Sequence, residues 1–195
     1  MVSFNNFHQL DPAAHHIAME LLVNAGQHPG LFASFIFRWM AFNGWASAVT
    51  LESKDALMLS ALVAHPRLKG SYDRLMADDA DFAKLVTDFA ALWPVLNVGG
   101  VRKHFGFNAF FQHDRNALIA MCQAAHVRVQ PENWGPGALP SWSQLLWTIY
   151  QVRCNLFHGQ KSPQSERDRD LVSASDRVLE HFIDATNCFQ WNDIP

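Results

Sequence analysis

Three residue types that could work on a phosphate ester stand close together in the stretch 144–162, QLLWTIYQVRCNLFHGQKS: Arg153, Asn155 and His158. A planar guanidinium can hold two phosphate oxygens at once and balance charge that develops on them. An imidazole titrates close enough to neutrality to give or take a proton. A carboxamide can orient either partner. Lys161, and Arg167 or Arg169, follow closely and could add local positive charge. Glu166, Asp168 and Asp170 offset much of it.

A helix must present these groups, and its ends are marked. Ser141 with Gln144 three residues on forms a capping box, and Pro140 precedes it where no helical N–H is lost. Gly159 can take the left-handed conformation that stops helices, and Pro163 bars continuation. At about 100° per residue, Leu145, Ile149, Val152 and Leu156 make one apolar stripe. Gln144, Gln151, Asn155 and His158 lie roughly opposite, with Arg153 between the faces beside Tyr150 and Phe157. Arg153 and His158 are about 140° apart on an ideal helix. They converge if the last turn unwinds under His158, or if a second copy of the helix brings its own pair. A plainer reading stands beside this one: a cation and an imidazole at a helix C-terminus satisfy carbonyls and meet the dipole.

Arg153-Cys-Asn155-Leu-Phe-His158, followed by Gly159 and a further helix, resembles the Arg-x4-His signature of the HEPN superfamily. A softer likeness lies in the apolar run 35–45, which carries Trp39-Met-Ala-Phe-Asn43. Buried bonding of the Asn43 amide to backbone explains that residue equally well. The resemblance implies an all-α, HEPN-like helical bundle with additional helices, one domain over 1–195 with its signature region at 141–186. It implies a homodimer and metal-independent endoribonuclease activity in a defence or toxin–antitoxin setting. There the 2′-hydroxyl of RNA attacks the adjacent phosphate, leaving a 2′,3′-cyclic phosphate and a 5′-hydroxyl. Arg153, Asn155 and His158 would be catalytic, with Lys161, Arg167 and Arg169 on the RNA. RNA, a second copy, and an antitoxin or defence partner are the expected partners; no cofactor and no metal are expected. The alternative is an inactive family member serving as a dimerisation, nucleic-acid- or nucleotide-binding module.

Bulk composition sets bounds on both. With 195 residues and 49% apolar content, the chain can bury one sizeable core. The formal charge of −3 supplies no global field for nucleic acid, so any RNA contact must be local. Cys122, Cys154 and Cys188 fit neither a zinc pattern nor a disulfide framework, which points to a reducing cytoplasm. No signal peptide is visible at the N-terminus. The stretch 31–51 is long and apolar, but Arg38 near its centre argues for a buried helix rather than a membrane span.

Caps and periodicity place the remaining helices. Asp11-Pro12 starts one that Gly26 ends, and a second runs over about 31–49. Ser53 caps a third, ending near His65-Pro66. Others follow over 67–76, from 78–81 to Pro94, from the Asp114 cap to His126, and from the Ser165 cap to the frayed tail 187–195. The segment 95–111 admits a hairpin, a loop or a helix start. Its Arg102-Lys103-His104, set among phenylalanines, would suit single-stranded nucleic acid, or else an exposed loop pinned by its aromatics. Trp134 is expected to anchor the loop 127–140.

Overall fold

The structure, a computed structural model, describes residues 12–132, 134–135 and 137–190. It is all-α apart from one two-stranded ribbon. The chain divides into two compact units, one of residues up to Val86 with those from Val172 onward, the other Thr87–Leu171.

The first unit contains α1 (Pro12–Gln27), α2 (Leu31–Thr50), α3 (Asp55–Ala64) and α4 (Pro66–Asp78). Most of α5 (Ala80–Ala90) and of α10 (Glu166–Thr186) also belong to it. Phe35, Trp39, Phe42 and Trp45 of α2 are almost wholly buried, as a helix apolar around most of its circumference must be. Arg38 sits among them with two carboxylates, Asp176 at 2.6 Å and Glu180 at 2.7 Å. No helix among the described residues is long and apolar enough to cross a membrane.

Several expected boundaries move. Asp11 lies outside the described residues, and α1 runs past Gly26 to Gln27. Lys54, not Ser53, is the residue before α3, and no side chain caps that helix. The expected fraying of the tail does not extend to Cys188–Gln190, a 3-10 turn with Cys188 and Phe189 buried and the Phe189 ring stacked on Trp45 at 5.4 Å. Residues 191–195 lie outside the described set. The Asn43 side chain is half-buried, and its Oδ1 has no hydrogen-bond partner among the described residues.

The second unit is built on α9 (Trp142–Phe157), whose Leu145, Leu146, Ile149 and Val152 are buried. Ser141 and Gln144 make the reciprocal capping box at its start. The ambiguous segment resolves into β1 (Val95–Leu96), α6 (Val98–Phe105) and α7 (Ala109–Gln112). Then follow α8 (Arg115–Ala124), capped by Asp114, and β2 (Val129–Gln130). β1 and β2 pair antiparallel, Val95 opposite Gln130 and Leu96 opposite Val129. Val101, Ala109, Leu118, Cys122 and Val129 form a core beside α9. Trp134 is half-buried against Trp93, ring centroids 4.9 Å apart.

Candidate functional site

Helix α9 ends by a defined device. The Gly159 N–H donates to the Leu156 carbonyl and the Gln160 N–H to that of Asn155, the paired bonds of a Schellman ending. Gly159 has φ of +65°, where a side chain would be strained. His158, the cap residue, is exposed. The chain then turns so that Gly159, Gln160 and Lys161 line a cleft.

Arg153 is half-buried one turn before the helix end. Its guanidinium carbon lies 4.5 Å from the centre of the Phe157 ring and 5.7 Å from that of Tyr150. Two aromatic faces fix the direction of a side chain that would otherwise sample many rotamers. Asn155 takes a different role from its neighbours. It is buried; Nδ2 donates to the Leu96 carbonyl, while Oδ1 accepts from Val98 N–H and from Gln151 Nε2. Its amide therefore ties α9 to the junction of β1 and α6.

The basic residues beyond the helix separate into two groups. Lys161 and Arg167 line the cleft; Arg169 does not, and donates instead to the Pro163 carbonyl at the surface. Lys161 is buried against Asp168 at 2.6 Å, and burial, partly countered by that carboxylate, draws its pKa down. Asp168 also accepts from Ser162 N–H, so one carboxylate fastens the turn that follows α9.

The cleft has a volume of about 460 Å³. Arg102, Arg115, Lys161 and Arg167 line it, against one carboxylate, Asp168. Phe110, Leu118 and Leu171 contribute apolar wall, and His113 stands exposed at the lining. Arg115 donates to the carbonyls of Leu92 and Pro94, and Arg167 to that of Leu92. Burial, then the charge of Arg167, pushes the Arg115 pKa down to about 10. The Nε of Arg102 is buried with no hydrogen-bond partner among the described residues, while its guanidinium lies 4.7 Å from the Phe107 ring centre.

Arg115 is the site residue that sequence reading passed over. A signal was present. Arg115 opens α8 and Arg167 is second in α10, so both cations sit at helix ends where the dipole is already positive. Cations in first turns are unfavourable unless something else holds them there.

Arg153, Asn155 and His158 are not part of the cleft lining. Among the described residues, no three His, Cys, Asp or Glu side chains cluster so as to hold a metal ion. Neither a family model, nor a curated protein, nor a solved structure matches the chain.

Proposed function

We propose that this chain is a metal-independent endoribonuclease of the HEPN type, in which Arg153 and His158 act on single-stranded RNA. The observation that carries the reading is the end of α9: an exposed imidazole on the cap and, one turn earlier, a guanidinium held by two rings. In the reaction a base takes the 2′-hydroxyl proton as that oxygen attacks phosphorus. The bond to the 5′-oxygen breaks, and an acid returns a proton to that oxygen. The products are a 2′,3′-cyclic phosphate and a 5′-hydroxyl. A homodimer would supply two imidazoles, one for each proton transfer, and two guanidiniums for the charge on the phosphorane.

A second reading is favoured by Asn155, whose amide bonds stay within the fold, and by the separation of the cationic cleft from Arg153 and His158. In it the chain binds RNA without cutting it. One experiment decides between them. Purified protein is incubated with labelled single-stranded RNA in EDTA, beside His158→Ala and Arg153→Ala, and the product ends are analysed. The nuclease reading expects cyclic-phosphate ends from the wild type and loss of at least 100-fold in rate in either variant. Cleavage that persists unchanged in His158→Ala, or no cleavage by any form, sinks it.

A further inference from the structure

We propose that the cleft between the α9 turn, α6 and α8 is a track for single-stranded RNA, separate from Arg153 and His158, with its phosphates on Arg102, Arg115 and Arg167 and its bases on Phe107 and Phe111. The proposal rests on the RNA part of the reading above but not on cleavage.

Charge comes first. Lys161 is matched by Asp168, and Asp168 with Asp170 offsets part of the charge on Arg167, which leaves the cleft four cations against one lining carboxylate, with Arg102 and Arg115 unmatched. Arg115 and Arg167 each direct Nη2 to backbone carbonyls. Among the described residues their remaining N–H groups have no hydrogen-bond partner, and neither does Nε of Arg102. Like-charged groups gathered beside a cavity are relieved by an anion, and a guanidinium fork fits phosphate oxygens.

The aromatics decide what kind of anion. Phe107 is 66% exposed and Phe111 83%, on the same segment whose Phe110 and His113 line the cleft. Phe107 touches the lining residue Arg102, and Phe111 follows the lining residue Phe110 in the chain; large exposed rings next to cations are what successive bases stack on. A free mononucleotide would fill the cleft and leave both rings unused. A strand continues past the cleft and covers them. With a formal charge of −3 on the whole chain, this local cluster is also where a polyanion meets least repulsion.

The test is fluorescence anisotropy with a labelled 12-nucleotide RNA in EDTA, on His158→Ala protein so that the probe stays intact. Arg102→Gln and Phe111→Ala are added singly; Arg102 is a half-buried lining residue and Phe111 an exposed ring next to the lining residue Phe110, and neither belongs to the core. Each is expected to weaken binding roughly five-fold or more. Arg102→Gln should also lower the salt dependence by about 0.7 in the log–log slope, one phosphate contact for a single strand. DNA of the same sequence should bind within about three-fold, because stacking and phosphate contacts do not read the 2′-hydroxyl. RNA that binds equally well to both variants overturns the track while leaving the nuclease reading intact. Adenosine monophosphate competing as well as the 12-mer overturns it in favour of a mononucleotide pocket. Cleft-dependent binding by a wild-type protein that does not cut supports the track and removes the nuclease. Absence of binding removes both.

Discussion

Arg115 and Arg167 donate to the same acceptor, the carbonyl oxygen of Leu92, at 3.2 and 2.5 Å. Two guanidiniums sharing one carbonyl repel each other, and the shared oxygen carries only a partial charge to offset them. Arg115 alone also holds the Pro94 carbonyl. Replacing Arg115 with Met should therefore cost about 1–3 kcal/mol in urea unfolding, the loss of charged donors to half-buried acceptors, even though a repulsion is removed. The same pair predicts a pH effect on ligand binding. With its pKa brought down to about 10, Arg115 loses charge well before an ordinary arginine. Affinity for single-stranded DNA, which survives alkali, should fall between pH 8 and 10.5 more steeply in the wild type than in Arg115→Gln. Parallel curves would contradict this.

Asn155 makes the second prediction, because two of its three bonds join α9 to β1 and α6. Asn155→Ala leaves the Leu96 carbonyl and the Val98 N–H without their partner at half-buried positions. The expected loss is about 1–3 kcal/mol of stability, read as a lower urea midpoint at unchanged slope. Asn155→Asp should be no better, since a carboxylate cannot donate to Leu96. If Asn155 instead served catalysis directly, the variants would keep wild-type midpoints while losing turnover.

These contrasts show what the sequence could carry. The ends of α9 were readable because caps are local: Ser141 with Gln144, and Gly159 before Pro163, act within a few residues. The all-α class followed from apolar periodicity for the same reason. The segment 95–111 was ambiguous because its strand exists only through pairing with Val129 and Gln130, more than thirty residues away. The cleft stayed hidden on similar grounds. Arg102, Arg115 and Arg167 are scattered along the chain, and only the fold of the second unit brings them to one cavity. Asn155 could be placed opposite the apolar stripe, but not given partners, because those partners are contributed by β1 and α6.

In the first unit, Arg38 is the most consequential charge. Its side chain is 6% exposed and Asp176 8%, and Asp176 also accepts from the Ser34 hydroxyl. Removing one member leaves the other buried and unbalanced. Arg38→Met should cost about 3–5 kcal/mol. The double variant Arg38→Met, Asp176→Leu should recover most of that, since an apolar pair of similar volume avoids the desolvation cost altogether. A double-mutant cycle from urea unfolding measures the coupling. A double variant no more stable than the single would show that the ion pair, rather than its absence of imbalance, holds α2 to α10.

The last prediction concerns acid. The Asp79 carboxylate accepts from the Phe82 N–H at 2.9 Å and faces the Nε2 of His181 at 2.7 Å. The Phe82 bond first, then His181, holds its pKa below the ordinary value of 3.8. A carboxyl group whose pKa is lower folded than unfolded binds protons more readily in the unfolded chain. Its stabilising contribution is thus complete above the ordinary carboxylate value and is lost as pH falls through the depressed one. Melting temperatures of wild type and Asp79→Ala should differ most above about pH 5, where the unfolded carboxyl is ionised too. The gap should close as pH drops below 3.8 and the native carboxylate takes up its proton. A gap that stays constant from pH 6 to pH 3 would mean that Asp79 stabilises the start of α5 by shape alone, without its charge.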